Sequence, residues 1–332
     1  MSERPQITVV RERRQVIAWE GPNLVESAHM RNDALSLAPV VRDFLDGSRP
    51  DGENAWLVAD SRECAAVVLT YRRVETLVFE MHRGFELGIV LSGEFERTAG
   101  SRSRRLRAGQ VWLLPMWEPH GGRVISPGTC VAVLFLPTFL GEERIGDISW
   151  LSFFALPPEE RPQAATPGMR REVVHIGRDI SREIMEHPAA SETGLRLAVL
   201  GLLLLLYRGW SKARVQSRGI PPSTGMLPRI LPALESVQAR PGVRLRLDEA
   251  AASCGLSVSH FKRVFRQAMG ASFGQFSLRA RLAQVANKLV TTTQSEQLIA
   301  EETGFSDASH LHHSFLKHFG TTPGRYRQSR TL

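Results

Sequence analysis

The chain has 332 residues, with 42 Lys+Arg against 34 Asp+Glu (formal charge +8) and 42% hydrophobic residues, enough for about two domains with a buried core each. That balance excludes a disordered, collagen-like or membrane-embedded chain. Cys64, Cys130 and Cys254 follow no metal-like spacing and read as buried small hydrophobes in a reducing compartment. Met1 to Arg14 has no apolar stretch of the secretory kind. The apolar run Leu197–Tyr207 falls short of the roughly 20 residues that span a bilayer, so a soluble cytoplasmic protein without a membrane partner is expected.

From about residue 8 to 140 the sequence reads as β. Short apolar, β-branched runs recur at Trp56–Ala59, Val74–Phe79, Leu87–Leu91, Val111–Leu114 and Thr129–Leu136, separated by turn pairs such as Ser92-Gly93, Ala108-Gly109 and Pro127-Gly128. Many short strands with regular glycine turns predict a sandwich or barrel. Two helices follow, Met169–His187 and Ser191–Trp210. The second is apolar nearly all round (Leu195, Leu197, Val199, Leu200, 202–206) and must be covered either by its own domain or by a second copy of the chain. Ser211–Thr224, with its Pro221-Pro222 pair, has the composition of a linker, and the remainder reads as helical.

Charge is concentrated at the end. Residues 227–332 hold 14 Lys+Arg and 7 Asp+Glu, a net +7, which leaves +1 for the first 226 residues and suggests a polyanion-binding module. Within it, Gly255-Leu-Ser-Val-Ser-His-Phe-Lys-Arg-Val-Phe265 is repeated as Gly304-Phe-Ser-Asp-Ala-Ser-His-Leu-His-His-Ser-Phe315. The glycines lie 49 apart, the following helices 50 apart, and Gly270 and Gly320 close the two copies. A short apolar helix, a glycine turn and a second helix form the helix-turn-helix plan.

In the first copy Val258, Phe261, Val264 and Phe265 make the buried stripe. Ser259, Lys262, Arg263 and Arg266, with His260 beside them, make a cationic stripe fit for a DNA major groove about 12 Å wide. In the second copy the equivalent positions are Ser309, His312, His313 and Leu316, with His310 and Lys317 alongside, so the first helix is expected to carry more of the electrostatic affinity. An ordinary imidazole pKa near 6.5 also makes tighter binding through the second helix toward pH 6 an expectation. A bare solvated helix face is the competing account of one basic helix; recurrence 50 residues later argues against it. His310 and His313 share a face, but no third ligand is in register, so no metal is expected there. Ser272–Val290 reads as a rigid connector, with Arg279, Arg281 and Lys288 adding charge and its length setting the reading helices about 34 Å apart.

These motifs, from Leu245-Arg-Leu-Asp-Glu-Ala-Ala-Ala-Ser-Cys-Gly-Leu-Ser-Val-Ser-His-Phe-Lys-Arg-Val-Phe265 to Phe315-Leu-Lys-His-Phe-Gly-Thr-Thr-Pro-Gly-Arg-Tyr326, resemble the AraC/XylS family of bacterial transcription regulators over about a hundred residues. The resemblance implies a seven-helix module with two helix-turn-helix units that binds promoter DNA and recruits or blocks RNA polymerase. Departures from the family pattern are His313 and Leu316 at commonly basic positions, Glu296 at a commonly apolar one, and Arg246 at the cap of the first helix.

The β region is similar to the cupin-type effector domain of such regulators, on His82-Arg-Gly-Phe-Glu86, Leu91-Ser-Gly93, Gly109-Gln-Val-Trp-Leu-Leu-Pro115 and Glu118-Pro-His120. Relative to metal-binding cupins, His82, Glu86 and His120 match three ligand positions, while Gly84 stands where a second His belongs. The expected fold class is therefore a cupin or jelly-roll-like β-barrel (1–145), a helical dimerisation segment and linker (146–225) and an all-α double helix-turn-helix domain (226–332).

His82, Glu86, Trp112, Trp117 and His120 are the candidate residues for a small-molecule effector, hydroxylated or charged, and core tryptophans with satisfied histidines are their plainer account. Leu195–Leu206 is the candidate homodimer contact. No catalytic constellation, cofactor or bound metal is expected. The alternatives are a cupin metalloenzyme with a DNA-targeting tail and a non-specific architectural protein.

Overall fold

The computed structural model describes residues 9–11, 55–58, 63–99, 102–141, 144–145, 148–186, 188–214, 226–240 and 242–330. Most of Met1–Arg14 and of the expected linker lies outside these residues.

The β half contains β1 (Val9–Arg11), β2 (Ala55–Val58), β3 (Cys64–Tyr71), β4 (Thr76–Glu80), β5 (Phe85–Val90), β6 (Glu94–Ala99), β7 (Arg102–Arg107), β8 (Val111–Leu114), β9 (His120–Ser126) and β10 (Gly128–Phe135). They form two antiparallel sheets facing each other, of order β1-β2-β3-β10-β5-β8 and β4-β9-β6-β7. A small hairpin, β11 (Arg144–Ile145) and β12 (Ile148–Ser149), follows.

The larger sheet is covered on both faces, which explains its unbroken apolar runs. Along β10, Cys130, Ala132 and Leu134 point between the sheets, where they meet Phe95, Leu106, Trp112 and Val124. Val131, Val133 and Phe135 point the other way, into helices. That outer layer comprises α1 (Leu151–Ala155), α2 (Pro167–Glu186) and α3 (Ser191–Arg214). Phe85 and Phe135 stack there, and Trp150 and Phe154 meet them edge to face, with Phe85 and Trp150 centroids 5.3 Å apart. Cys64 and Cys130 are buried as expected, and burial pushes the Cys130 thiol up to about 12; Cys254 is only half-buried.

Helix α3 divides its apolar surface. Leu195, Val199, Leu202, Leu203 and Leu206, at spacings of three and four, are in the chain's own core, so only part of Leu195–Leu206 is left for a second copy. Leu197 is 65% exposed, and Leu200, Leu204 and Leu205 are half-buried. By length and composition Ser191–Trp210 would suffice to cross a membrane, although one face of the helix is committed to this core. It also continues through Arg214, four residues into the expected linker.

Among the described residues the rest is seven helices, the number implied by the family resemblance: α4 (Met226–Ala239), α5 (Leu247–Ser253), α6 (Val258–Met269), α7 (Phe273–Thr291), α8 (Glu296–Glu302), α9 (Ala308–Phe319) and α10 (Pro323–Arg330). Gly255 and Gly304 turn with φ of 63° and 69°, a left-handed conformation that favours glycine. Gly270 and Gly320 close α6 and α9 in the same conformation, each N–H returning to the carbonyl four residues back. The two halves of the molecule share one core, in which Met116, Trp150 and Phe154 are continuous with Phe261, Phe265 and Phe273.

Candidate nucleic-acid interface and effector site

The two reading helices begin on matched caps. Ser257 accepts from His260 N–H, and Asp307 accepts from His310 N–H at 2.7 Å. On α6 the core takes Phe261, Val264, Phe265, Ala268 and Met269, leaving Ser259, Lys262, Arg263 and Arg266 exposed together, with His260 half-buried at the rim. On α9, Ser309, His310, His313 and Lys317 are exposed. His312 is turned partly inward, 3.9 Å from Glu296 of α8, and His310 packs on Phe305 while meeting Ser306 at 3.1 Å. His313 Nδ1 lies 2.8 Å from Ser309 O, so all three second-copy histidines are engaged within their own unit.

Arg281 departs from the sequence reading, while Glu296 and Arg246 are accommodated where they stand. Arg281 does not add surface charge: it is buried on α7, donates to Thr303 O and Gly304 O at 3.3 and 2.6 Å, and lies over Phe305 at 4.6 Å, so it staples the second turn. Glu296 does not disturb α8, because Ser295 caps it by accepting from Leu298 N–H at 3.2 Å. Arg246 sits at the cap of α5, where the Glu249 carboxylate accepts its N–H at 3.1 Å and its guanidinium pairs with Asp248 at 2.8 Å.

Inside the barrel, β5 turns Glu86 and Gly88 inward, and Gly88 pairs directly with Trp112 on β8. A Cβ at Gly88 would land inside the indole, so this glycine lets Trp112 lie across β5 and bring Nε1 to Glu86. The other Glu86 oxygen accepts from His82 at 2.8 Å and faces His120 Nε2 at 3.4 Å. Arg97, from β6, donates to Glu86 Oε1 at 3.0 Å and lies over the Trp112 ring. Burial alone would raise the Glu86 carboxyl; hydrogen bonds from His120 and His82, with the Arg97 charge, overcome it and hold the group well below its usual range. The histidine rings take backbone acceptors at their other nitrogens, Gly84 O and Glu118 O.

Four of the five candidate effector residues therefore meet at one buried hub. Trp117 does not: its backbone is left-handed (φ 60°), and its side chain is in the core shared with the helices. Among the described residues one group has metal-ligand geometry, His82, Glu86 and His120, whose ligand atoms lie within 4.8 Å of one another. Two imidazoles and a carboxylate suit a divalent cation by donor chemistry. Both Glu86 oxygens are already taken, so a cation would have to displace internal hydrogen bonds.

Beside the hub opens a cavity of about 300 Å³, lined by Arg97, Ala99, Arg102, Arg104, Leu106 and Trp112 and closed by a strap around Pro158–Gln163. The strap is fixed by Gln163, whose amide exchanges hydrogen bonds with the Val111 backbone on the edge strand β8, and by Arg161, which forks onto buried Glu118 at 2.6 and 2.7 Å. Of the five candidates only Trp112 lines this space. Arg97, Glu118 and Arg161 were not found from the sequence, because their partners are 11 and 43 residues away and no local pattern links them.

The comparisons agree with this division. A helix-turn-helix domain family matches residues 250–329, and a cupin domain family matches residues 72–136. The probable transcription factor PqrA of Proteus vulgaris is 32% identical over 88 residues, 26% of this chain and 72% of PqrA. An uncharacterised regulator, YfiF of Bacillus subtilis, is 22% identical over 74% of this chain and 77% of its own. Several other curated relatives are matched over about a third of their own length. The fold is similar to that of ToxT from Vibrio cholerae, with a TM-score of 0.51 and 13% identity over 80% of this chain and 98% of that one. With its paired helix-turn-helix units behind a cupin-type barrel, the chain belongs to the AraC/XylS family of DNA-binding transcription regulators.

Proposed function

We propose that this protein is a cytoplasmic, homodimeric, sequence-specific regulator of transcription, with no enzymatic activity of its own, whose barrel binds a small-molecule effector. The reading assigns residues 1–145 to sensing, 146–225 to dimerisation and linkage, and 226–332 to promoter DNA, with RNA polymerase as the further partner. The observation that carries it is the exposed stripe of Ser259, Lys262, Arg263 and Arg266 on a capped helix that follows a glycine turn, repeated in α9. Phosphate contacts position such a helix, and Arg bidentate to guanine specifies sequence. His260, Ser309, His310, His312, His313 and Lys317 complete the proposed DNA surface. His82, Glu86, Trp112, Trp117 and His120 remain the proposed effector-responsive set, the first three and His120 as one hub.

The test is selection of genomic fragments by the full chain, then titration of a selected duplex against random DNA. Arg263→Ala is expected to lower specific affinity by about 1–3 kcal/mol and relax base preference. Equal losses on both DNAs would reduce Arg263 to a phosphate contact, and a parent chain with no preference for any duplex would sink the reading. The His82–Glu86–His120 geometry favours a second reading, a cupin metalloenzyme targeted to DNA. Stoichiometric iron, manganese or zinc in the purified chain, lost in His120→Ala, would support it.

A further inference from the structure

The cavity in the barrel mouth has an uneven charge pattern. On the β6–β7 hairpin the register pairs Phe95 with Leu106, Arg97 with Arg104, and Ala99 with Arg102. Phe95 and Leu106 lie in the core between the sheets, so by the two-residue period the other four also face inward. Arg97 and Arg104 thus sit directly opposite each other on one face. Side chains so placed have Cβ atoms about 4.5–5.5 Å apart, and like charges there repel.

On the outer face of the same sheet the arginines are compensated. Arg107 meets Glu94 at 3.2 Å, Arg105 meets Glu94 at 4.0 Å, and Arg123 meets Glu96 at 3.1 Å. On the inner face compensation is thinner: Glu86 pairs with Arg97 alone of the three arginines. Among the described residues Arg104 has no acidic side chain within ion-pair distance, and Arg102 reaches only Glu159 at 3.9 Å, both largely exposed. Arg97 gives one NH2 to Glu86, but its buried Nε has no hydrogen-bond partner. The remaining wall is apolar on one side, at Ala99, Leu106, Val111, Trp112, Leu114 and Pro158, with Thr98, Ser103, Glu159, Arg161 and Gln163 at its polar edge.

We infer that the barrel mouth binds a small organic carboxylate with an apolar body, its charge held between Arg97 and Arg104 and its body against Trp112. A carboxylate accepts the planar fork of an arginine in two parallel bonds, and here it would relieve the cross-strand repulsion as well. The volume, about 300 Å³, is at the small end of ligand pockets. The inference rests on the barrel being the effector-binding unit and names the class of that effector.

The experiment follows thermal unfolding and tryptophan fluorescence of the full chain with phenylacetate or hexanoate at millimolar concentration, against the uncharged phenylacetamide and hexanamide. The carboxylates are expected to raise the midpoint and the amides to leave it unchanged. Arg104→Gln, at an exposed position, should fold normally and weaken carboxylate binding about tenfold or more. Arg102→Gln serves as a second variant, with a smaller loss expected. Equal response to acid and amide, no response to either acid, or an undiminished response in Arg104→Gln overturns the assignment. So does an Arg104→Gln chain that loses DNA affinity but keeps the carboxylate response, since the arginines would then serve nucleic acid. Parallel DNA titration of the parent separates the two claims: carboxylate binding without DNA preference sinks the regulator, and the reverse sinks only the pocket.

Discussion

Glu86 is the residue on which most of the barrel's polar chemistry converges. A carboxylate buried at 1% exposure is tolerated because His82, His120, Arg97 and Trp112 surround it with hydrogen-bond donors. Its folded-state pKa lies below the ordinary value of 4.5. The stability it contributes is therefore complete above the ordinary carboxylate range and is lost as the pH falls through the folded value. Glu86→Gln is expected to cost about 3–5 kcal/mol near neutrality, because it leaves the Arg97 guanidinium without its buried counter-charge. It should also flatten the acid limb of stability against pH, as measured by urea unfolding at a series of pH values. An unchanged acid limb would mean the hub is not what acid dissolves. The sequence made Glu86 visible through its spacing from His82 and the later His120; it could not reveal that Arg97 consumes one of the carboxylate oxygens.

At the level of elements, the glycine-turned helices were readable because each turn needs a left-handed residue and each following helix keeps a strict three- and four-residue apolar stripe. The β6–β7 hairpin was not readable. Glu94, Glu96, Arg97, Arg102, Arg104, Arg105 and Arg107 leave no apolar alternation over most of its length, and strand β9 carries the Gly121-Gly122 pair. What holds the hairpin extended is the backbone pairing of β6 with both β7 and β9, a long-range property. Arg281 teaches the same lesson within α7, since a charge counted as surface turned inward to hold two carbonyls. Arg281→Ala is expected to cost roughly 1.5–3 kcal/mol in urea unfolding of the full chain. Arg281→Lys should recover little, because the nitrogen that holds both carbonyls belongs to a planar guanidinium lying over Phe305, a contact an ammonium does not reproduce. Full recovery by lysine would reduce the staple to simple charge.

Across the whole molecule, one close approach between the halves is at the end of α6. The cap residue Gly270 lies against the backbone of Ala155 on α1, and a Cβ there would overlap the Ala155 carbonyl oxygen. Gly320 has the same φ of 67° at the end of α9 but open space around it. The pair forms an internal control. Gly320→Ala is expected to cost only the left-handed strain, about 1–2 kcal/mol. Gly270→Ala should cost more and also loosen the reading helix from α1, seen as faster amide exchange in α1. Identical losses for the two variants would show that the contact carries no energy.

The unequal charge of α6 and α9 has a consequence for behaviour on a chromosome. On the proposed DNA surface the half bearing Lys262, Arg263 and Arg266 would act as an anchor with a steep salt dependence, and the half bearing His310 and His313 would make a lighter contact. Such a molecule can stay parked over one half-site while the other samples neighbouring sequence, so promoters differing only in the second half-site would be graded in occupancy rather than switched.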